Sequence, residues 1–142
     1  MWGWRRMILR LFGAKIGKNV HIYPSARIII PWNLRVGEEC AIGDRVTLYA
    51  LGLITIGDRS TISQNVHLCA GTHDWRDPSM PLIKSNIDIG RDVWICADAF
   101  VGPGVTIDVG AIVAARAVAV KNIGANDIVG GNPAKIIGTR DS

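Results

Sequence analysis

The sequence predicts an all-β triangular solenoid, short strands wound three to a coil with one extruded loop, and three observations carry the prediction. Apolar residues recur at every sixth position. A second, small apolar residue stands four positions after many of them, and glycine directly follows several. The rhythm then stops for more than a dozen residues within "LCAGTHDWRDPSMPLIKSNIDIG", and a histidine, His73, stands where it stops.

The first element, residues 1–14, reads "MWGWRRMILRLFGA" and sets Trp2, Trp4, Met7, Ile8, Leu11 and Phe12 against Arg5, Arg6 and Arg10. That pattern predicts a short amphipathic helix capping the solenoid. A weak peripheral hold on an anionic membrane surface is the alternative. The apolar part is too short for a signal peptide and is broken by Arg10, and no apolar run is long enough to span a bilayer.

The repeat occupies residues 15–130. From Ile16 the apolar phase runs through Ile22 and Ile28 to Leu34, resets at Val36, and continues through Ile42 and Leu48 to Ile54. It resets again at Ile56 and runs through Ile62 to Leu68; after the break come Ile89, Ile95, Val101, Ile107 and Val113. The small partners at plus four include Val20, Ala26, Cys40, Val46, Val66, Val93, Ala99, Val105, Ala111 and Ala117. A helix has a period of 3.6 and an ordinary strand a period of two, and neither gives this pattern. Three short strands per coil do give it, with the leading aliphatic pointing inward and the small residue filling a corner. Glycine after the leading residue is expected to supply turn conformations that a side chain forbids. The loop over about 70–86 leaves this scheme, and residues 131–142 form a short tail.

Composition narrows the function. The 142 residues are 49% hydrophobic and 20% charged, an ordinary globular balance for one domain. A net charge of +4 favours anionic partners, but aromatics are only 6% and no basic run interleaves with them, which argues against nucleic acid. Cys40, Cys69 and Cys96 are odd in number and form no CxxC pair, so reduced thiols in a cytoplasmic protein are expected. Cys40, in a corner column, reads as a packing residue.

From about Phe12 to Arg140 the chain resembles the hexapeptide-repeat, left-handed parallel β-helix proteins; the handedness comes from the family. "IDIGRDVWICADAFVGPGVTIDVGAIVAARAVAVKNIGANDIVGGNPAKIIGTR" is similar to the last coils and tail of coenzyme-A-dependent O-acetyltransferases. "LRLFGAKIG", "PWNLRVG", "LYALGLITIGD" and "THDWRDPSMPL" narrow the likeness to acetyltransferases of colanic-acid and capsular polysaccharide synthesis, with nodulation-factor relatives.

The resemblance implies acetyl transfer from acetyl-CoA to a hydroxyl of a sugar or polysaccharide precursor, without a metal, in a homotrimer whose clefts lie between subunits. His73, in "THDW", matches the family's catalytic histidine on the extruded loop. Imidazole accepts protons near neutral pH and would act as general base toward the acceptor hydroxyl. A backbone N–H would stabilise the oxyanion. Trp94 matches a tryptophan at the edge of the cofactor cleft, its other role being an apolar cover at a coil corner. Ala97 and Ala115 match small residues beside the pantetheine arm, and could equally be ordinary small solenoid residues. Lys121, with Lys135 and Arg140 nearby, suits the cofactor phosphates. Tyr49, Asp74, Arg76 and Asp77 are candidates for the acceptor from their nearness to the break alone.

The chain departs from the family pattern in three places. Gly124-Ala125 replaces a frequent pair of prolines, Arg116 and Val120 stand where glycine and threonine are common, and Asp108 replaces a usual glycine. Other readings are a zinc-dependent carbonic anhydrase on the same fold, a non-catalytic scaffold, and a ping-pong route through Cys69. The first needs three gathered histidines, but His21 lies several coils from His67 and His73. The scaffold needs neither the histidine loop nor the "GNPAK" tail. An acetyl-cysteine adds a step that an activated thioester does not need.

Overall fold

The computed structural model describes residues 2–141, apart from the side chain of Trp2; Met1, Ser142 and that side chain, which the sequence assigns to the cap and tail, lie outside the described residues. Helix α1 (Trp2–Leu11) precedes a left-handed parallel β-helix of five coils and a partial sixth. The coils are β1 (Lys15–Ile16), β2 (His21–Ile22) and β3 (Arg27–Ile29); β4 (Leu34–Val36), β5 (Ala41–Ile42) and β6 (Thr47–Tyr49); and β7 (Ile54–Ile56), β8 (Thr61–Ile62) and β9 (His67–Cys69). A hairpin of β10 (Gly71–His73) and β11 (Leu82–Lys84) intervenes. The winding then resumes with β12 (Ile87–Ile89), β13 (Trp94–Ile95) and β14 (Phe100–Val101), followed by β15 (Thr106–Ile107), β16 (Ile112–Val113) and β17 (Val118–Ala119). The chain ends in β18 (Asp127–Gly130) and β19 (Lys135–Thr139).

The three faces follow from the ladders. Face A runs β1-β4-β7-β12-β15, face B β2-β5-β8-β13-β16-β18-β19, and face C β3-β6-β9-β14-β17. All pairs within them are parallel except β18–β19. On face A the register stacks Ile16, Val36, Ile56, Ile89 and Ile107. Those steps are 20, 20, 33 and 18 residues, so the first coils are wider than the last and the break adds 13 residues to a coil. The resets in the sequence are thereby explained. On β4, β7 and β12 two residues, such as Leu34 and Val36, both point inward, and the extra pair is taken up at the corner between faces C and A.

The core is the stack of inward aliphatics with Ala, Val and Cys40 at the corners. Ile28, expected as a core position, is only half-buried, because it lines a hollow left between the first coil and Trp4, Ile8 and Leu9 of α1. One corner residue is polar. Ser60, fully buried, donates to the Gly90 carbonyl at 2.7 Å and accepts from the Val93 N–H at 3.1 Å, so its hydroxyl bridges two coils without an orphaned group.

The role expected of the repeat glycines is different in the structure. None of the glycines that follow a leading aliphatic has a positive φ. The left-handed conformation falls two residues after Gly17, Gly37, Gly43, Gly57, Gly90 and Gly124, and at the equivalent turn position after Ser63, Cys96 and Ala114, on Asn19, Glu39, Arg45, Arg59, Asn65, Asp92, Asp98, Arg116 and Asn126, at φ of 54–62°. What requires glycine is the approach of the neighbouring coil: a Cβ on Gly57 would stand 2.5 Å from the Arg91 nitrogen and the Gly90 carbonyl carbon. Arg116 stands in such a left-handed position, where glycine would be unstrained.

Candidate active site

The wide C–A corner is where the hairpin leaves the solenoid. Its root is held to the coil before it. The Ala70 carbonyl accepts from the Gly52 N–H at 2.9 Å and the Ser85 N–H at 3.1 Å, and a Cβ on Gly71 would meet Leu51 Cδ1 at 2.7 Å. Asparagines lock the same corner: Asn33 donates to the Ala50 and Leu51 carbonyls, and Asn86 accepts from the Leu53 N–H at 2.9 Å. The hairpin pairs Gly71 with Lys84, Thr72 with Ile83 and His73 with Leu82.

At its end the chain turns through a closed set of local bonds. Asp74 N–H donates to the Pro81 carbonyl and Met80 N–H to the Asp77 carbonyl. The Asp77 carboxylate accepts from both the N–H and the hydroxyl of Ser79 at 2.9 Å, and these bonds, the backbone one first, hold it below the usual carboxylate range. Arg76 is folded back on Asp74, with Nε 3.2 Å from the carboxylate. Of the three acceptor candidates at the loop tip, Asp74 and Arg76 are thus partners of each other and Asp77 is held by Ser79.

His73 is exposed, and its Nδ1 lies 2.7 Å from the Met80 carbonyl oxygen. A carbonyl only accepts, so Nδ1 carries the hydrogen. In the neutral ring, Nε2 then holds a free lone pair. The arrangement fixes the tautomer that a general base needs. Nothing in the sequence marks the Met80 carbonyl, because its contribution is backbone and any residue supplies it.

The other candidates fall on different edges of the prism. Trp94 projects from face B, half exposed, its indole N–H donating to the Ser63 hydroxyl at 3.0 Å. Ala97 and Ala115 occupy the same B–C corner in successive coils, joined by the Arg116 N–H to Ala97 carbonyl bond of 2.9 Å. Lys121 follows β17, and Lys135 opens β19; both line one cavity of about 140 Å³ with Val120, Asn122 and Asp127. Arg140 stands apart at the A–B corner, where its guanidinium donates to the Asp92 carbonyl at 2.7 Å. Tyr49 lies on face C, paired with Cys69. The structure therefore gathers Lys121 with Lys135, Ala97 with Ala115, and Asp74 and Arg76 with His73. Within one chain, face C separates the hairpin edge from the B–C edge.

Face C carries a residue that sequence reasoning weighed only as a metal ligand. His67 sits edge-on between Tyr49, at 6.4 Å, and Phe100, at 5.4 Å between ring centroids. Its Nε2 is buried without a partner, and burial, with a smaller push from Arg27, lowers its pKa. Burial likewise raises the Cys40 and Cys96 thiols, while the Cys69 thiol donates to the Gly71 carbonyl at 3.2 Å. Among the described residues no three His, Cys, Asp or Glu side chains gather as metal ligands, and no helix is long and apolar enough to cross a membrane.

Comparison with known proteins gives a consistent answer. No family model matches the chain. A protein of Escherichia coli K12 named WcaF, an acetyltransferase of colanic acid biosynthesis, is 48% identical over 140 residues, covering 99% of this chain and 77% of WcaF. The crystal structure of a maltose O-acetyltransferase from Clostridium difficile 630 superposes with a TM-score of 0.91 at 26% identity, over 99% of this chain and 77% of that one. The hexapeptide-repeat acetyltransferase VCA0836 of Vibrio cholerae, solved with acetyl coenzyme A, gives the same TM-score and identity over 99% of this chain and 78% of its own.

Proposed function

Because this chain belongs to the hexapeptide-repeat acetyltransferases that include WcaF, we propose that it transfers the acetyl group of acetyl-CoA to a hydroxyl of a sugar or polysaccharide precursor, with His73 as general base. The observation that carries this reading is the bond from His73 Nδ1 to the Met80 carbonyl, which leaves Nε2 as the free base on an extruded hairpin.

The residues present suit the donor. The stacked Ala97 and Ala115 leave a corner without bulk, where a thin pantetheine arm can lie along the solenoid. Lys121 and Lys135 share a cavity and supply two cations for its phosphates, whereas Arg140 is already bound to backbone carbonyls and acts as a tie for the tail. Acetyl-CoA supplies an activated thioester. His73 Nε2 takes the acceptor hydroxyl proton as that oxygen bonds to the acetyl carbon; the carbon–sulfur bond breaks, and the imidazolium returns the proton to the departing sulfur. Cys69 stays outside this path, its thiol turned to the Gly71 carbonyl. Tyr49, Asp74 and Arg76 border the acceptor side, the Asp74–Arg76 pair opening to sugar hydroxyls.

The working assembly is a homotrimer. Face C separates the His73 edge from the Ala97–Ala115 edge, so a complete cleft needs the hairpin of one subunit against the B–C corner of another. Trp75, Met80, Leu82 and Ile83 leave the hairpin apolar and exposed in the single chain, as a surface that a neighbour covers. The three unpaired thiols suit a reducing cytoplasm.

The deciding experiment is release of free coenzyme A thiol across a panel of sugars and glycan precursors, for wild type, His73→Ala and Cys69→Ser. Activity lost in the first variant and kept in the second supports direct transfer. A fully active His73→Ala would sink it.

A further inference from the structure

Helix α1 is mounted the opposite way round from an ordinary amphipathic cap. Its arginines reach toward the solenoid. Arg5 donates to the Ala26 carbonyl, and Arg10 donates to the Ile16 carbonyl at 2.7 Å and the Gly17 carbonyl at 3.1 Å, covering acceptors on the open edge of the first coil. Of its aliphatics, only Leu9 is buried in the core. Trp4, Met7 and Leu11, spaced i, i+3, i+7, form a single stripe on the other side, exposed by 64%, 48% and 78%. Phe12 and Trp32 extend it; both are exposed, and Trp32 packs against the backbone of Gly13.

The charge around this stripe is one-sided. Seven Lys and Arg residues and no carboxylate precede Glu38, while the remaining nine cations of the chain meet twelve carboxylates. Beside the helix a hollow of about 660 Å³ opens on face A, and its only charged lining residues are Arg10, Lys15 and Arg35. Lys15 and Arg35 stand directly opposite each other in the ladder, a like-charge pair with no carboxylate partner among the described residues.

We propose that the N-terminal end of the solenoid docks on the surface of a lipid bilayer containing anionic headgroups, with Trp4, Met7, Leu11, Phe12 and Trp32 entering the headgroup–acyl boundary and the hollow lined by Lys15 and Arg35 receiving headgroup phosphate. The stripe is apolar and rich in tryptophan and phenylalanine, the side chains that favour that boundary. The cations flank it instead of interrupting it, which is the division an interfacial helix requires. Charge of one sign spread around an apolar stripe suits the anionic headgroups of a bilayer. The inference stands on α1 and the first two coils and is independent of the acetyl-transfer reading.

The test is co-sedimentation of the full chain with vesicles of phosphatidylcholine alone and of phosphatidylcholine mixed with phosphatidylglycerol, at low and high salt. Binding to the anionic vesicles, weakened by salt, is expected. Met7→Ser/Leu11→Ser should lower the partition coefficient by about tenfold or more on these vesicles, with an unchanged far-ultraviolet circular dichroism spectrum. Lys15→Gln/Arg35→Gln should lower binding to the anionic vesicles and leave the weak binding to neutral ones as it was. No binding by the wild type, or equal binding by the stripe variant, overturns the proposal. So does sedimentation showing that the stripe holds copies of the chain together while vesicles are ignored.

Discussion

His73 Nδ1 lies 2.7 Å from the carbonyl oxygen of Met80, seven residues further along the same hairpin. One short turn thus holds both the proposed base and the group that fixes its tautomer. His73→Asn offers an amide N–H to the same carbonyl but has no Nε2. We expect kcat to fall by about 10²–10⁴-fold, with the KM for acetyl-CoA and the melting temperature little changed. Wild-type turnover in this variant would remove His73 from the chemistry.

The proposed cleft between subunits predicts complementation. Ala115→Trp should block the B–C corner of its own chain, and His73→Ala should remove the base from the hairpin edge. Each protein alone is inactive, but trimers formed from equal amounts of both should recover about a quarter of the sites by random assortment. A mixture as inactive as its parts would mean that each chain carries a whole site.

Lys121 and Lys135 line one cavity, so their removal should act on binding. Lys121→Gln/Lys135→Gln should raise the KM for acetyl-CoA by about tenfold or more, with a smaller effect on kcat and on the KM for a coenzyme analogue lacking the 3′-phosphate. An unchanged KM, read in the same thiol-release assay, would place the phosphates elsewhere.

The close approach of successive coils gives a paired stability prediction. Gly57→Ala pushes a methyl group to 2.5 Å from the backbone of the next coil, whereas the nearest atom to a Cβ on Gly102 is at 3.5 Å. The first change should cost about 1–3 kcal/mol in urea unfolding and the second well under about 1 kcal/mol. Equal losses would contradict the packing account.

His67 makes stability depend on pH. Burial between Tyr49 and Phe100 holds its pKa below the ordinary histidine value near 6.5, so the unfolded chain takes up that proton first on acidification. The contribution is complete above about pH 6.5 and is lost as the pH falls from there toward the lower folded value. His67→Phe keeps the aromatic contacts and removes the proton. The drop in urea midpoint between about pH 7.5 and about pH 5.5 should be smaller than in wild type, and an identical drop would clear His67 of the effect.

Much of this was visible in the chain because a solenoid repeats its burial: Ile16, Val36, Ile56, Ile89 and Ile107 form one column of one face. The candidate site was visible as the place where that column skips 13 residues. Turn chemistry was misread because Gly57 is required by the coil beneath it, a distance that no local pattern contains. Ser60 hid in an apolar column, since its partners, Gly90 and Val93, are about thirty residues away. Arg140 looked like a free cation until the fold brought it to the Asp92 carbonyl, 48 residues back. Spacing finds what recurs along a chain; it does not find which edges of a prism lie apart.

The antiparallel return of β19 along β18 has a consequence of its own. A parallel coil always ends in a template for another coil, with a row of backbone groups free to pair with the next chain that arrives. Here the last segment doubles back over face B, while Gly131 and Ala134 bond to Val118 under face C. At the other end the arginines of α1 cover the first carbonyls. Covered in this way, the two end coils offer a further coil fewer free backbone groups than a bare parallel coil would, which favours side-by-side association over end-to-end stacking.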